Sequence, residues 1–210
     1  KARESSDRVV GLDGDTEIST FSITLAEKFP ESFVECFIAE QNMVGVATGL
    51  ACRRKIAFAS TFAAFLIRGA DQIRIAGVSG SNIKLVGSHS GVNIGEDGQV
   101  KWLFKISPSS ELYQTELFDS SDGVAAEKAV ELAANYNNGP VFIRTARPDV
   151  PMLFKKINTS KLEKDTFRNS AKLIKSSEND KLIVVAAAVT THEAVKAWAK
   201  LKDEGKHSMT

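Results

Sequence analysis

Two side chains capable of acid–base chemistry, Glu40 and His89, follow segments of the sequence that are typical of short buried strands. Glu40 follows a predicted strand at Phe33–Ile38 and directly precedes a predicted helix at Gln41–Cys52, while His89 follows a predicted strand at Asn82–Val86. The helix dipole stabilises a carboxylate at the start of a helix, and a loop histidine often serves only as a hydrogen-bonding group. From the residues alone, each side chain is open to a structural as well as a catalytic interpretation.

The elements that must position these side chains alternate between strands and helices over residues 1–147. Further predicted elements are strands at Val9–Leu12, Lys55–Ala59 and Pro140–Arg144, a helix at Thr61–Val78, and a helix capped by Asp122 that runs through Asn135. Such alternation predicts an α/β fold, a parallel sheet with helices on both faces. Ligands in these sheets bind beyond the carboxyl ends of the strands. The predicted functional edge carries Asp13–Asp15, Ala39–Glu40, Ser60–Thr61 and Gly87–His89.

The chain changes character after residue 147. Residues 148–180 are polar and lysine-rich and are interpreted as a linker over the surface. Residues 181–210 contain an apolar segment at Leu182–Ala188, predicted as a strand, and an amphipathic helix at Thr191–Lys202. This pair predicts the first βα unit of a second α/β domain. Because the chain starts at Lys1 and stops shortly after a helix-like segment, we expect a fragment.

The composition restricts the class of protein. The 210 residues carry a net charge of +1 and 43% hydrophobic residues, so no charge excess favours nucleic acid or an anionic membrane surface. No apolar run reaches the roughly 18–20 residues of a bilayer span, and no signal peptide is evident. Cys36 and Cys52 lie in apolar stretches without CxxC spacing, which predicts buried reduced thiols in a cytoplasmic protein, with a metal or redox site as the remote alternative.

Several ordered motifs at the functional edge resemble animal-type transketolases. They are Gly11-Leu12-Asp13-Gly14-Asp15-Thr16, Glu35 through Met43, Ser60-Thr61-Phe62-Ala63-Ala64-Phe65, Gly87 through Val92, Gly95-Glu96-Asp97-Gly98, Ser121 through Asn135, and Phe142 through Pro148. The resemblance implies the pyrimidine-type domain of a thiamine diphosphate-binding fold, followed by the start of a C-terminal domain.

The resemblance also implies a role for each matching side chain at the cofactor. Glu40, the catalytic residue, should hydrogen-bond to N1′ of the aminopyrimidine of thiamine diphosphate and assist removal of the proton at C2 of its thiazolium ring. Phe62 and Phe65 should pack on the pyrimidine ring, and Asp15 should lie near the cofactor. No metal ligand is expected in this segment, because the family binds Mg²⁺ or Ca²⁺ with the diphosphate through a domain that precedes it.

For substrates, the resemblance implies that Ser19 and Arg147 bind the sugar phosphate. His89 and Asp97 should contact hydroxyl or carbonyl oxygens of the sugar. The implied reaction is transfer of a two-carbon ketol unit between phosphorylated ketoses and aldoses, a step of the pentose phosphate pathway. It takes place in a homodimer whose sites lie between subunits, so this segment alone should be inactive.

One stretch, Gln99 to about Leu117, does not resemble the family, and a compensated frameshift between about Gly98 and Phe118 is one hypothesis for it. Two other interpretations remain open. The chain could be a non-catalytic transketolase-like interaction module that pairs with full-length subunits. It could also belong to another thiamine-dependent enzyme, although Ser19 and Arg147 argue against that.

Overall fold

A computed structural model describes residues 1–91, 115–154, 173–176 and 180–203. Six strands form one sheet in the order β2-β1-β3-β4-β6-β5. The strands are β1 (Val9–Asp13), β2 (Phe33–Glu35), β3 (Ile56–Phe62), β4 (Ile83–Ser88), β5 (Glu116–Asp119) and β6 (Val141–Arg144). The pairs β1–β2, β1–β3, β3–β4 and β4–β6 are all parallel.

Seven α-helices connect or flank these strands in the described ranges. They are α1 (Ala2–Ser5), α2 (Glu17–Thr20), α3 (Ile23–Lys28), α4 (Glu40–Cys52), α5 (Ala70–Val78), α6 (Gly123–Asn135) and α7 (Thr190–Asp203), with 3₁₀ helices at Pro30–Ser32 and Phe65–Gly69. α4 packs on β1, β3 and β4 over the core face, to which Val10 and Leu12 of β1 contribute. Gly11 lies between these two residues, and Leu25 of α3 approaches it. Successive strand residues point to opposite faces, so helices cover both faces. The predicted α/β class is confirmed.

The core beneath α4 and α5 is made from alternating strand residues and small helix residues. Leu12, Ala59 and Leu85 of three neighbouring strands are fully buried there. Gly87 of β4 lies where strand and loop meet closely, since a Cβ at this position would stand 2.6 Å from Phe142 Cζ and 3.0 Å from Ala63 Cβ. The absence of a side chain at Gly87 therefore brings the end of β4 close to the residues that follow β3.

The predicted helix at Thr61–Val78 is wrong at its start. β3 continues through Phe62, because Thr61 pairs with Gly87 and Phe62 with Ser88 in the sheet. A 3₁₀ helix at Phe65–Gly69 then leads into α5. Apolar spacing alone could not separate these three conformations, whereas a β-branched and an aromatic residue suit the end of a strand. The predicted strand at Phe33–Ile38 is also shorter, ending at Glu35.

The chain divides into two compact units, residues 1–118 with 130–148 and residues 119–129 with 149–210. The predicted boundaries at 147 and 180 stay predictions. In the second unit, α7 confirms the predicted helix at Thr191–Lys202. The predicted strand at Leu182–Ala188 is not formed, because only Leu182 makes a bridge and Ile183 and Val185 are exposed. A strand needs a hydrogen-bonded neighbour, and the described residues supply none for this segment beyond that bridge.

The two cysteines differ in their surroundings. Cys36 is buried, and burial, followed by the nearby Glu35 and Asp13 carboxylates, raises the pKa of its thiol. Cys52, the last residue of α4, is exposed, so the prediction that both thiols are buried is wrong for this one. In the described ranges, none of the helices has the length and apolar character that a bilayer span requires.

Candidate functional site

The carboxyl ends of three neighbouring strands meet at one edge of the sheet. In register, Asp13 of β1 lies beside Ser60, and Phe62 lies beside Ser88 at the end of β4. Glu40 begins α4 after the short loop that follows β2. The predicted functional edge is therefore present, and the loops that leave it carry the candidate site.

Glu40 is a buried acid at the start of α4, with its side chain only 2% exposed. Its Oε2 lies 2.8 Å from Nη1 of Arg68, a residue of the 3₁₀ helix Phe65–Gly69 that packs against α4. Among the described residues, however, Oε2 accepts no hydrogen bond, because the guanidinium N–H is not directed at it. The contact is therefore an ion pair that compensates the charge of the carboxylate and leaves the acceptor capacity of Oε2 available.

Three rings form an aromatic cluster at the ends of β3 and β4 and in the 3₁₀ helix that follows β3. Phe62 and Phe65 stack with ring centroids 5.0 Å apart, and Phe62 and His89 stack at 4.0 Å. His89 is buried, and Nδ1 lies 3.0 Å from Oγ of Ser88. The backbone of His89 adopts a left-handed φ of 54°, which non-glycine residues rarely adopt outside turns and functional sites. The cluster offers flat apolar surface and one titratable ring.

Asp13, at the end of β1, is fully buried but is committed to shaping a loop. Its carboxylate accepts hydrogen bonds from Thr16 N (2.6 Å), Thr16 Oγ1 (3.0 Å), Thr20 Oγ1 (2.9 Å) and Ser22 Oγ (2.7 Å). These bonds hold residues 14–22 against the strand end. The sequence carries a local signal for this arrangement, an aspartate followed three residues later by threonine, which is typical of capped turns.

Glu35 connects the loops that follow β1 and β2. Its Oε1 accepts hydrogen bonds from the backbone N–H of Asp15 (3.1 Å) and of Phe37 (2.6 Å). Asp15 and Phe37 both have positive φ, 62° and 54°. A left-handed conformation is costly for a bulky residue such as Phe37, so the Glu35 carboxylate supports two strained positions at the edge.

Thr61 also lies at this edge and was not among the predicted site residues. It is fully buried, and within the described part of the chain its Oγ1 has no hydrogen-bond partner. A Cβ on Gly14 would lie 3.5 Å from that oxygen. Buried polar atoms of folded proteins are nearly always paired, so an exception points to a functional or ligand-binding position. The sequence placed Thr61 at the predicted functional edge but could not reveal its unpaired hydroxyl, which depends on packing.

The other predicted site residues lie farther from this cluster or beyond the described ranges. Asp15 is exposed, Ser19 is exposed on α2, and Arg147 is exposed three residues after the end of β6. Asp97, and most of the atypical stretch 99–117, lie outside the described residues. The structure therefore groups Phe62, Phe65 and His89, with Glu40 joined to them through the Phe65–Gly69 helix.

Four large apolar side chains are exposed in the segments that follow β1 and β2, and we call this set the apolar rim. Its members are 67% to 77% exposed and follow β1 or β2: Ile18, Phe21, Phe37 and Ile38. Large apolar side chains grouped on a surface mark a site of contact with another molecule or domain.

The donor set of the site can receive a flat heterocycle that donates a hydrogen bond. Across residues 1–91, 115–154, 173–176 and 180–203, no three His, Cys, Asp or Glu side chains gather as a metal site would require. A buried carboxylate oxygen that accepts no hydrogen bond can receive one from a ring nitrogen that carries a proton. The partly buried Phe62 and Phe65 rings provide a stacking surface for a flat heterocycle.

Comparisons with known proteins agree with this architecture. Residues 1–152 match the family model described as the pyrimidine binding domain of transketolase. Transketolase of Homo sapiens is 46% identical, with the match covering 97% of this chain and 32% of the human protein. Transketolase-like protein 1 of Bos taurus is 45% identical over 98% of this chain and 34% of its own length. The chain thus spans about a third of these relatives.

Solved structures show the same fold. A split gene transketolase, described as an inactive beta4 tetramer, has a TM-score of 0.78 and 28% identity, over 98% of this chain and 64% of that one. A transketolase of Leishmania mexicana has a TM-score of 0.84 at 19% identity, over 99% of this chain and 31% of that one. A family model that covers most of the chain, together with these relatives, shows that this chain belongs to the transketolase family and carries its pyrimidine-binding domain.

Proposed function

We propose that this chain is the pyrimidine-side half of a transketolase, which in an intact enzyme transfers a two-carbon ketol unit between phosphorylated ketoses and aldoses. The observation that carries the proposal is Glu40, a buried carboxylate whose Oε2 accepts no hydrogen bond from the described residues. Its helix α4 packs against the 3₁₀ helix that carries Phe65, and the Phe65 ring stacks on Phe62. When bound, thiamine diphosphate supplies a carbon nucleophile and an electron sink for breaking the bond next to a ketose carbonyl.

The residues of this chain have distinct tasks in that proposal. Glu40 holds or releases a proton at Oε2 where a pyrimidine ring nitrogen meets it. Phe62 and Phe65 orient the flat ring and exclude water from it. Asp15, in the loop after β1, lies near the cofactor. These three contacts fix the ring, so the acid–base partner meets the same nitrogen in every turnover.

Sugar phosphates are the proposed substrates. Transketolase of Pichia stipitis is described in complexes with sedoheptulose-7-phosphate and with xylulose-5-phosphate. In this chain, Ser19 and Arg147 are proposed to bind the phosphate, with Arg147 making a charge-assisted contact. His89 and Asp97 are proposed to bind hydroxyl or carbonyl oxygens of the sugar.

Other properties of the intact enzyme follow from membership of the family and stay proposals. The intact protein is proposed to be a cytoplasmic homodimer of the pentose phosphate pathway. Mg²⁺ or Ca²⁺ is proposed to bind with the diphosphate on a different domain. The chain by itself is proposed to be inactive, since it matches about a third of its relatives. A relative encoded by a split gene, described as an inactive tetramer, is consistent with that division.

A hybrid enzyme tests this function directly. This chain would replace the matching third of human transketolase, and the hybrid would be assayed for ketol transfer from xylulose 5-phosphate to an aldose phosphate. Turnover by the hybrid, with no turnover by either part alone, would support the proposal. A hybrid that folds and binds thiamine diphosphate but does not turn over would reject catalysis by this chain.

A non-catalytic interaction module is the second candidate function, and the apolar rim favours it. Phe21 and Phe37 are more exposed than large aromatic side chains of a free-standing domain normally are. Such a module would pair with full-length transketolase subunits through this surface. Mass measurement of a mixture with human transketolase would detect a mixed oligomer, and Phe21→Asp with Phe37→Asp should abolish it. A mixed oligomer together with an inactive hybrid would favour the module over the enzyme.

A further inference from the structure

Arg68 is the charged residue that the structure brings closest to Glu40 in the described ranges. The Glu40 side chain is 2% exposed, whereas that of Arg68 is 52% exposed, and Nη1 lies 2.8 Å from Oε2. A carboxylate removed from water is strongly destabilised unless an opposite charge accompanies it. Arg68 therefore allows the buried Glu40 side chain to carry its negative charge in this position.

The Arg68 guanidinium compensates the charge of Glu40 without using Oε2 as a hydrogen-bond acceptor. Oε2 accepts no hydrogen bond from the guanidinium or from any other described group. Arg68 belongs to the Phe65–Gly69 helix, which also carries the Phe65 ring that stacks on Phe62. One short helix thus holds both the counter-charge of the acid and part of the proposed ring-binding surface.

We propose that Arg68 is a positioning residue that holds the Glu40 carboxylate charged and in place to accept a hydrogen bond from a protonated pyrimidine ring nitrogen. The inference rests on the proposed function, because it presumes that an aminopyrimidine is the ligand. Arg68 acts through Glu40 and need not contact the ring. Its effect should therefore appear in the preference for a ring with a nitrogen over the same ring without one.

The test uses the 210-residue chain and two probes at millimolar concentration, observed by ligand NMR at a mildly acidic pH at which the pyrimidine ring nitrogen can carry a proton. One probe is 4-amino-5-hydroxymethyl-2-methylpyrimidine, and the other is the corresponding substituted aniline, which has C–H in place of both ring nitrogens. Wild-type protein should bind the pyrimidine more tightly. Arg68→Met should weaken pyrimidine binding roughly tenfold, the usual effect of losing a hydrogen bond to a charged group, and leave aniline binding unchanged.

Two further variants show whether an effect of Arg68→Met comes from the lost positive charge or from a general disturbance of the fold. Arg68→Lys keeps a positive charge near Glu40 and should retain most of the preference for the pyrimidine. Arg74→Met removes an arginine of similar exposure, which pairs with Asp71 on α5, and should change neither affinity. Circular dichroism would establish that each variant is folded, and Arg68→Gln replaces Arg68→Met if the latter is not.

The outcomes distinguish failure of the proposed role of Arg68 from failure of the proposed function on which it rests. If wild-type protein binds neither probe, or binds both equally, the proposed function fails and the role of Arg68 fails with it. If wild-type protein prefers the pyrimidine and Arg68→Met keeps that preference, the role of Arg68 alone is rejected. An equal loss of both probes in Arg68→Met would show that Arg68 only supports the fold.

Discussion

The carboxyl group of Glu40 meets two requirements that rarely coincide at one residue. It is almost completely buried, and yet one of its oxygens accepts no hydrogen bond from any residue that the structure describes. Burial removes the water that would otherwise compete for the carboxylate, and Arg68 compensates part of the desolvation. A side chain in this state is prepared for a ligand that donates a hydrogen bond, whereas Asp13, equally buried, already accepts four.

We expect Glu40→Gln in the hybrid enzyme to lower ketol-transfer turnover by about 10²–10⁴-fold, because an amide cannot exchange a proton with the ring nitrogen. Folding should be nearly intact, since the two side chains have almost the same shape. Steady-state kinetics and exchange of the C2 proton of thiamine diphosphate measure the effect.

Glu35→Gln serves as the matched control for that variant. Glu35 lies at the same edge of the sheet, but its Oε1 accepts only backbone N–H groups, which an amide oxygen can also do. Turnover should stay close to that of the unmodified hybrid. Near-normal turnover or unchanged C2 proton exchange in Glu40→Gln would reject the assignment of Glu40 as the catalytic residue.

Arg147→Ala in the hybrid should mainly raise KM for phosphorylated sugars, by roughly tenfold or more, the usual effect of losing a charge-assisted contact. Acceptors without a phosphate should be converted almost as before. Kinetics with glycolaldehyde and an aldose phosphate give the comparison. Arg54→Ala, an exposed arginine before β3 at the opposite edge, is the control. Equal losses for both kinds of acceptor would show that Arg147 is structural.

At this scale, the sequence indicated Glu40, Phe62, Phe65 and His89 through motifs that resemble a known family, and the structure groups them at one edge. The roles of all these residues, and those of Asp15, Ser19, Asp97 and Arg147, stay predictions. Arg68 was not found in advance, and Thr61 was placed at the functional edge without a role. Their significance depends on which atoms are buried and unpaired, and this follows from the way a 3₁₀ helix and two strand ends pack.

At the scale of single elements, β4 carries an unusual residue, Lys84, at the end opposite the site. Lys84 is fully buried, and Nζ donates hydrogen bonds to Asn82 Oδ1 and, at 2.9 Å, to the carbonyl oxygen of Tyr136. Burial lowers the pKa of this ammonium group to about 8. The unfolded chain binds the same proton more tightly, because its lysine has the ordinary, higher pKa.

Lys84 should therefore make the free energy of unfolding rise with pH above about 8. Between the folded pKa and the ordinary value of 10.5, unfolding takes up a proton, so this contribution is complete above 10.5 and lost as the pH falls through about 8. Its full size is on the order of 3 kcal/mol. Urea unfolding at about pH 7.5 and about pH 10 measures it as the difference between wild type and Lys84→Met. Equal pH dependence in both proteins would contradict the prediction.

Asp122 ties together the start of α6 and a later segment within the second unit. Its Oδ1 accepts from Ala125 N at 2.8 Å, and Oδ2 accepts from Leu153 N at 2.8 Å and Phe154 N at 3.0 Å. Asp122→Ala should destabilise this unit by roughly 2 kcal/mol or more, since a helix cap and two further acceptor contacts are lost together. Faster hydrogen exchange at the Leu153 and Phe154 amides would report it.

Asp122→Asn provides the comparison for the alanine variant. Its single amide oxygen can serve either the cap or the later segment but not both, so an intermediate loss is expected. If Asp122→Ala left those two amides as protected as in wild type, the bonds to Leu153 and Phe154 would have no role in stability.

Elements with strong local signals were predicted well. The Asp122 cap and the helix through Asn135 are confirmed, because capping is a local interaction. Boundaries decided by the sheet were less accurate, as in β3, which gains Thr61 and Phe62 by pairing with β4. Leu182–Ala188 has the composition of a strand but almost no strand pairing in the described chain, and composition does not report on partners.

At the scale of the whole molecule, the chain by itself can test whether the cofactor site is shared between this domain and another domain of the enzyme. We expect no measurable transketolase activity, and thiamine diphosphate binding weaker than micromolar even with Mg²⁺. Diphosphate recognition normally depends on a metal ion, which we propose binds on a different domain, and the chain spans about a third of its transketolase relatives. Calorimetry that gave a micromolar dissociation constant would contradict this division.

The order of strands in the sheet also constrains how the chain reaches its native state during synthesis. β4 pairs with β3 on one side and with β6 on the other, yet the chain from Ser88 to Val141 separates β4 from β6. During synthesis on a ribosome, β4 can pair with β3 to form a sheet of β2, β1, β3 and β4. The other backbone edge of β4 then stays unpaired until β6 emerges. Unpaired edges recruit strands from other molecules, so slow translation between these two strands should favour aggregation of nascent chains.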